Sequence, residues 1–259
     1  MSYLDIVRSL ASSAAQNGRG IATRPRDKQP EEPLELYDIE ACPYCRLVRE
    51  TLTELDLDVL IFPCPKGGNR YRPLVENLGG QTRFPFLMDP NTGAALYESE
   101  DIIDYLHREY GDRLPPGRGL ASRLRLVSSF TASVPRGRRG LRARPAGLAE
   151  RPLELYSFEA SPFARLVRER LCEMQLPYLI RQCGRDQWMD WVLPAVRDRL
   201  NLNYRPSQRN RRRLITITDM VAIPYLVDPN TGEERYESAS ILEYLDYAYQ
   251  EPDTAPRAV

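Results

Sequence analysis

Hydrophobic residues change their period along the chain, first after residue 37 and again after residue 156. Over residues 34–37 the apolar and polar side chains alternate, which is typical of a strand with one buried face. After residue 42 the apolar side chains recur at helical spacing, at Leu47, Val48, Leu52 and Leu55. The change from a period of two to a period of about 3.6 predicts a strand that leads directly into a helix.

The same pattern occurs twice because the sequence contains two long repeated segments. PLELYDIEACPYCRLVRETL (33–52) returns as PLELYSFEASPFARLVRERL (152–171). FPFLMDPNTGAALYESEDIIDYL (84–106) returns as IPYLVDPNTGEERYESASILEYL (223–245). Repetition of both segments in one order indicates two copies of one structural unit.

Each copy contains the same predicted order of elements, β-α-β-α-β-β-α. The sequence DPNTG joins two strands as a hairpin, since Pro90 presets φ and Gly93 accepts positive φ. Ser99 and Ser238 are suitable N-caps for the last helix of each copy. The sequence therefore predicts an α/β fold of two tandem units, each with a four-stranded mixed sheet and flanking helices.

The repeats divide the chain into five parts. Residues 1–31 form an N-terminal segment whose apolar spacing favours a helix, 32–111 the first copy, 152–250 the second copy and 251–259 a tail. Residues 112–151 are rich in Pro, Gly and Arg, and we interpret them as a basic linker. A solvated surface is the simplest interpretation of its arginines, and a patch for phosphate-bearing partners is the alternative. Within it, LASRLRLVSSFTASV is also compatible with a short helix packed on one copy.

The second copy carries an additional segment. Pro224 lies 63 positions after Ser161, whereas Pro85 lies 43 positions after Cys42, so the second copy is 20 residues longer. A long insertion in a compact unit usually forms structure or serves a function. Its apolar residues, which predict an added helix, are Trp188, Trp191, Leu193 and Val196. Its basic residues, which predict a cationic edge, are Arg209, Arg211, Arg212 and Arg213.

Composition limits the classes of function. The 259 residues include 36 Lys and Arg and 36 Asp and Glu, so the whole chain has no charge bias towards nucleic acid or an anionic membrane. No apolar run approaches the roughly 20 residues that cross a bilayer, and no secretory apolar core begins the chain. Five cysteines are too few for a disulfide scaffold in a chain of this length. A soluble protein of the reducing cytoplasm is expected.

Two of the cysteines stand at a reactive position. Cys42 lies between the predicted strand and helix, where unpaired N–H groups and the helix dipole stabilise a thiolate. Pro43 suits the first helical turn because its missing N–H would have no partner there. Cys45 lies one turn further, close enough to attack a mixed disulfide on Cys42, and Arg46 adds a nearby cation.

The cysteine pair has two alternative interpretations, a plain helix cap and half of a zinc site. A zinc site would need further ligands, and the sequence has no second closely spaced Cys pair. The one histidine, His107, is interpreted as a surface residue.

The combined pattern resembles the thioredoxin superfamily. CPYC at a helix start, followed by a basic residue, resembles dithiol glutaredoxins. FPFLMDP together with YESEDIIDYL is more similar to the N-terminal domain of glutathione S-transferases. The resemblance covers residues 33–110 and 152–249. Two tandem thioredoxin-like domains are therefore expected, without the large helical domain that completes a transferase.

The resemblance implies a glutathione site in the first copy, with Cys42 as the attacking thiol and Cys45 as the resolving thiol. The implied glutathione-binding residues are Tyr44, Phe84, Pro85, Glu98 and Ser99. In this resemblance Pro85 is cis, the backbone of Phe84 pairs with the cysteinyl part, and Glu98 and Ser99 hold the γ-glutamyl group. Lys66, Arg70 and Arg83 are candidates for the glycine carboxylate. A plain helix start is the alternative interpretation of the Glu-Ser pair.

In the second copy, Ser161 and Ala164 replace the two cysteines, which excludes dithiol chemistry there. The corresponding second candidate site consists of Ser161, Ile223, Pro224, Glu237 and Ser238. A serine hydroxyl can polarise a bound glutathione thiol, as it does in several transferase classes. The alternative is a copy that is retained only for packing.

These observations favour a glutathione-binding, glutaredoxin-like thiol-disulfide oxidoreductase that uses glutathione as its cofactor. Its expected partners are glutathione and disulfide or glutathionylated substrates, and nucleic acid is not expected. One alternative is a transferase-like enzyme with a composite site between the copies. Another is a non-catalytic glutathione-binding scaffold that meets a partner through its arginine-rich stretches.

Overall fold

The computed structural model describes residues 2–16, 18–24, 29–111, 114–192, 194–200 and 202–251. The helices are α1 (Tyr3–Ala15), α2 (Pro43–Glu54), α3 (Arg72–Gly79), α4 (Ser99–Glu109), α5 (Leu120–Ser133), α6 (Pro162–Glu173), α7 (Pro194–Arg199), α8 (Arg209–Thr218) and α9 (Ser238–Ala248). The strands are β1 (Leu34–Asp38), β2 (Val59–Pro63), β3 (Phe86–Asp89), β4 (Ala94–Tyr97), β5 (Leu153–Ser157), β6 (Tyr178–Gln182), β7 (Tyr225–Asp228) and β8 (Glu233–Tyr236). Short 3-10 turns occur at Val134–Arg136 and Trp188–Trp191. No helix in these ranges is both long and apolar enough to cross a membrane.

The strands of the two copies form one continuous sheet. Its order is β4-β3-β1-β2-β6-β5-β7-β8, with β1–β2 and β5–β6 parallel and the other pairs antiparallel. The predicted order β-α-β-α-β-β-α is confirmed in both copies, as are the two four-stranded mixed units. At the centre, Leu60 of β2 pairs with Leu179 of β6. This pairing covers two strand edges that would otherwise present unpaired N–H and C=O groups.

The core lies where the predicted periodicity places it. Leu34 and Leu36 are fully buried under the helices, and so are the helical positions Val48, Leu52 and Leu55. One apolar cluster contains residues from both copies, including Leu36 and Leu155. Cys64, Cys172 and Cys183 are buried free thiols. His107 is buried as well, so its interpretation as a surface residue is wrong.

The helix that precedes each copy packs on the other copy. In α1, the Ser9 hydroxyl donates to the carbonyl of Pro162 at the start of α6, at 2.6 Å. In α5, the Ser129 hydroxyl donates to the carbonyl of Pro43 at the start of α2, at 2.8 Å. The two exchanged helices also touch, since the Ser12 hydroxyl donates to the carbonyl of Ala132 at 2.5 Å. Part of the segment interpreted as a linker is therefore a packed helix.

The internal repeat extends further than the sequence analysis indicated. GRGIATRP (18–25) and RRGLRARP (138–145) follow α1 and α5. The described residues of each segment run along the opposite copy: Thr23 N–H donates to the carbonyl of Arg185, and Ala143 N–H donates to the carbonyl of Lys66. Each structural unit thus begins with its own helix and extended segment.

Buried charges join the copies at the sheet centre. Arg49 Nε lies 2.9 Å from Glu159 Oε2, and Arg168 Nη2 lies 3.1 Å from Glu40 Oε1. Arg49 also pairs with Asp38. Burial alone would raise the pKa of Glu159, but the charges of Arg168 and Arg49 lower it to about 2. The carboxylate is therefore ionised inside the protein, where its paired guanidinium groups compensate for lost hydration.

Several arginines of the segment 112–151 also have acidic partners. Arg136 is buried, and its Nε lies 2.7 Å from Glu169 of α6. Arg139 Nη2 lies 2.5 Å from Asp5 of α1. The interpretation of these arginines as a solvated surface is therefore wrong for Arg136, which is buried and paired with Glu169.

Candidate active site

The two predicted thiols lie at the start of α2. Cys42 occupies the position before the first helical residue, with extended backbone angles (φ −75°, ψ 124°), and Pro43 is in the first turn as predicted. Cys42 is partly exposed, whereas Cys45 is fully buried one turn later. The geometry presents one sulfur to solvent and holds the other behind it.

The two thiols have opposite acidities. A hydrogen bond with the Cys45 thiol, helped by the N–H groups of Cys45 and Tyr44, lowers the pKa of Cys42 to about 7 against the effect of its burial. Burial raises the pKa of Cys45 well above its usual value, and its hydrogen bond to Cys42 acts in the same direction. Cys42 is therefore the more acidic thiol of the pair, and the Cys45 thiol is its hydrogen-bond donor.

The cation that assists Cys42 is Arg49. Its charge contributes to the lowered pKa of Cys42. Arg46, which the sequence analysis expected in this role, is buried on the side of α5, where its Nη1 donates to the carbonyl of Ser129 at 3.0 Å. Arg46 thus lies on the helix face that α5 covers.

The Phe84–Pro85 bond is cis, as the resemblance implied, and so is Ile223–Pro224 in the second copy. Cys42 and Phe84 both border the small apolar cluster built on Tyr37 and Phe86. The structure thus brings the Cys42 sulfur and the start of β3 to one side of the sheet.

Arg72 is a further candidate site residue, which was not predicted from the sequence. Its guanidinium carbon lies 4.8 Å from the centre of the Phe84 ring, and its Nη1 donates to the carbonyl of Cys64 at 3.0 Å. Of the three predicted cations, Lys66 is exposed and Arg70 donates to the carbonyl of Met174 at 3.0 Å. Arg83 is exposed beside Glu98. The sequence signal that could have predicted Arg72 is a basic residue at the start of the helix that follows the apolar strand β2.

Glu98 and Ser99 open α4. The helix begins at Ser99, so the cap position belongs to Glu98, one residue before the predicted N-cap, and the same shift occurs at Glu237 and Ser238. Glu98 has φ 60° and its carboxylate makes no capping hydrogen bond. The Glu98 side chain is 67% exposed and reaches Arg83 at 3.9 Å. It is therefore available to a ligand, beside the buried Ser99.

A cavity of about 320 Å³ lies next to this pair. Three of the predicted residues line it, Tyr44, Glu98 and Ser99, and α5 supplies Leu126 to the opposite wall. Phe130 of α5 also contacts the Tyr44 ring edge-on, with 5.8 Å between ring centres. The helix that leads into the second copy thus forms part of the first copy's site.

In the second copy, Ser161 is buried and its hydroxyl accepts a hydrogen bond from Ala164 N–H, at 3.3 Å, as the cap of α6. Ile223 and Ser161 line a separate cavity, whereas Glu237 and Ser238 lie outside that lining. Arg211 in α8 corresponds to Arg72, since its Nε donates to the carbonyl of Cys183 at 3.0 Å.

The insertion forms the 3-10 turn Trp188–Trp191 and the short helix α7, so an added helix exists, although Trp188 and Val196 are exposed rather than packed. Leu193 lies outside the described residues. The predicted cationic edge is only partly present, because Arg211 is buried and Arg209 Nη2 lies 2.8 Å from Asp58.

Residues 36–115 and 155–253 each match the family described as "Glutathione S-transferase, N-terminal domain". The protein belongs to this family. Among solved structures it is similar to the Bombyx mori glutathione transferase BmGSTD1 and to the same transferase in complex with GTT, at 28% and 29% identity. Each match covers 33% of this chain and 39% of the transferase chain, with a TM-score of 0.28. No curated protein matches the sequence.

Two copies of the transferase N-terminal domain thus stand in one chain. Both cis prolines and both Glu-Ser pairs lie inside the matched segments. The exchanged helices α1 and α5 lie outside them. The wall that α5 adds to the first site is therefore an addition to the shared transferase domain.

Proposed function

We propose that the first copy binds glutathione and catalyses thiol-disulfide exchange through Cys42. The observation that carries this proposal is the lowered pKa of a partly exposed thiol that accepts a hydrogen bond from a buried second thiol. Membership in the glutathione S-transferase N-terminal domain family supports glutathione as the cofactor. The reaction requires reduced glutathione, which fits the reducing cytoplasm.

In the first step, the Cys42 thiolate attacks the glutathione sulfur of a glutathionylated substrate. The substrate S–S bond breaks, a Cys42–glutathione disulfide forms, and the substrate leaves as a thiolate that takes a proton from water. No net oxidation occurs, because one disulfide replaces another.

The second step has two routes. A second glutathione thiolate can attack the glutathione sulfur, which frees Cys42 and forms oxidised glutathione. Alternatively, Cys45 attacks the sulfur of Cys42, which releases glutathione and leaves a Cys42–Cys45 disulfide. The raised pKa of Cys45 keeps this thiol protonated, and a thiolate is the attacking species, so the first route is favoured.

Glutathione would lie between the start of α2 and the start of α4. The backbone of Phe84, before cis-Pro85, would pair with the cysteinyl unit. The γ-glutamyl carboxylate would meet the N–H groups at Ser99, and its ammonium would meet Glu98. Arg72, which stacks on Phe84, would take the glycine carboxylate.

Reduction of a small glutathione mixed disulfide by excess glutathione tests this function. Cys42→Ser is expected to reduce the rate to that of the reaction without protein. Cys183→Ala, a buried thiol of the second copy, serves as the matched control and is expected to keep full activity. Equal rates for wild type and Cys42→Ser would refute the proposal.

A second candidate function is glutathione conjugation to a small apolar electrophile. The observation that favours it is the cavity between Tyr44 and Ser99 of the first copy and Leu126 of α5. Conjugation of 1-chloro-2,4-dinitrobenzene measures it, and Leu126→Glu is expected to lower this rate selectively. A protein that binds glutathione without forming any conjugate would argue against the second function and leave the first intact.

A further inference from the structure

We propose that the second copy contains a binding pocket for a small organic carboxylate with an apolar body, built by the 20-residue insertion of this copy. A cavity of about 300 Å³ lies at the start of α6. Its apolar walls include Phe158, Trp191 and Ile223. Cationic side chains on the same cavity are Arg185, Arg197 and Arg211.

The pocket lining contains three arginines and one acidic residue, so its positive charge is not balanced. Asp190 is the acidic residue of the lining, and it already accepts hydrogen bonds from Tyr204 Oη at 2.5 Å and from Arg211 Nη1 at 3.4 Å. Arg211 is further held by the carbonyls of Cys183 and Gly184. Asp190 also acts on Arg185 through its charge, but neither Arg185 nor Arg197 forms an ion pair within the ranges that the structure describes. Two cations therefore remain for a ligand.

Arg197 provides the most specific evidence. It is only 6% exposed, and its Nη1 is buried without a hydrogen-bond partner among the described residues. A buried guanidinium N–H without an acceptor is unfavourable, and an anion in the cavity supplies the acceptor. The unpaired donor thus indicates the charge of the expected ligand.

Aromatic rings fix both free guanidinium groups. The guanidinium carbon of Arg197 lies 3.7 Å from the centre of the Tyr204 ring, and that of Arg185 lies 4.6 Å from the centre of the Trp191 ring. Stacking occupies the faces of these groups and leaves their N–H edges for hydrogen bonds. A planar carboxylate is the partner that such edges bind best.

The lining distinguishes this pocket from the glutathione site proposed for the first copy. Glu98 and Ser99 line the first cavity, but their counterparts Glu237 and Ser238 do not line the second. An ammonium group would therefore lack a free carboxylate, since Asp190 is already occupied. The apolar walls and the excess of cations favour a simple carboxylate over a zwitterion such as glutathione.

The insertion contributes residues to this pocket that have no counterpart in the first copy. Asp190, Trp191 and Arg197 all belong to the additional segment, and they close over the start of α6. In the first copy, residues 64–71 connect β2 to α3 without an additional helix. The extra residues thus supply part of the lining of this cavity.

Calorimetric titration of the full chain with naphthalene-2-carboxylate, compared with the neutral naphthalene-2-carboxamide, tests the proposal. The carboxylate is expected to bind one site at least about tenfold more tightly than the amide, because only it pairs with the arginines. Arg197→Gln is expected to remove this preference. Arg212→Gln, an exposed arginine on α8, is the matched control and should leave it unchanged. Equal affinities of the two ligands, or an Arg197→Gln protein that keeps the preference, would overturn the proposal.

Two further measurements keep the test decisive. If Arg197→Gln does not fold, Arg185→Gln is expected to weaken binding of the carboxylate. Trp191→Ala is expected to weaken binding of both ligands, because it removes an apolar wall of the cavity. The protein should tolerate this truncation, since Trp191 is 54% exposed. Glutathione added to the Cys42→Ser protein is expected to leave carboxylate binding unchanged. Competition by glutathione for the Arg197-dependent site would show a second glutathione site instead, and would overturn the proposed ligand class.

Discussion

Arg49 Nε lies 2.9 Å from Glu159 Oε2, so an arginine of helix α2 in the first copy is bonded to a carboxylate of the second copy. The same guanidinium contributes to the lowered pKa of Cys42. One side chain therefore links the contact between the copies to the acidity of the proposed nucleophile.

Arg49→Met is expected to destabilise the protein by about 3–5 kcal/mol, because it leaves buried carboxylates without their partner. Arg168→Met, at the equivalent position of the second copy, should destabilise it by a similar amount, since Arg168 bonds Glu40. Only Arg49→Met should also raise the pKa of Cys42. Urea unfolding and thiol alkylation measure the two effects; a shared shift of the thiol pKa would contradict the specific role of Arg49.

The reactivity of Cys42 should follow its lowered pKa. Alkylation by iodoacetamide is expected to rise with a midpoint near pH 7, because the thiol loses its proton as pH rises through that value. Cys45→Ala should move the midpoint to higher pH, since it removes the main hydrogen bond that lowers the pKa. Alanine occupies the equivalent position, Ala164, in the second copy, so the fold accommodates it. An unchanged midpoint in Cys45→Ala would contradict the proposed hydrogen bond.

Cys45→Ser distinguishes two roles of Cys45: the hydrogen bond that lowers the pKa of Cys42, and attack on the Cys42–glutathione disulfide. Serine keeps a donor for the Cys42 thiolate but cannot form a disulfide, so the favoured route through a second glutathione should persist. We expect Cys45→Ser to retain most of the glutathione-dependent activity. Loss of turnover, with a Cys42–glutathione adduct visible by mass spectrometry, would show that Cys45 resolves the intermediate instead.

Glu98→Gln is expected to raise the KM for glutathione about tenfold or more, because a charge-assisted hydrogen bond contributes about 1.5–3 kcal/mol. The kcat should change little, since Glu98 would hold the γ-glutamyl group, away from the sulfur. Glu237→Gln is the matched control in the second copy and should leave the KM unchanged. If both variants raise the KM equally, glutathione binds both copies.

Gly20 and Gly140 lie against the buried carboxylates. Gly20 has φ +68°, and a Cβ there would lie 2.9 Å from Glu159 Cβ; Gly140 has φ +68°, and a Cβ there would lie 3.0 Å from Glu40 Cβ. Alanine at either position should destabilise the protein by about 2–4 kcal/mol through left-handed strain and overpacking. Gly18→Ala has similar strain but open space, and should cost only about 1–2 kcal/mol. Equal losses in thermal unfolding would exclude the overpacking.

Local pattern was sufficient to predict the elements within each copy. The change of period at β1 and α2, the turn at Gly93 and the Pro43 start of α2 all depend on neighbouring residues in the chain. The position of Cys42 and Cys45 follows from the same elements. The acidity of Cys42 could be predicted in direction, because helix starts stabilise thiolates whatever surrounds them.

Contacts between the copies could not be predicted in the same way. Arg46 and Arg49 read as charges on an ordinary helix, and only the opposite copy shows that they are buried. The available signal was that RLVRE recurs in both copies, together with the GRG and RRG segments that precede them. Repeated arginines at one face indicate a shared partner more readily than two independent solvated surfaces.

Each half of the chain completes the other: β2 pairs with β6, and the helices α1 and α5 each pack on the opposite copy. A single half, expressed by itself, would expose the edge of a central strand and the bare flank of its reactive helix. A second identical molecule carries both missing pieces. The first half expressed alone should therefore form a homodimer rather than an isolated monomer, with two identical thiol centres where the intact protein has one.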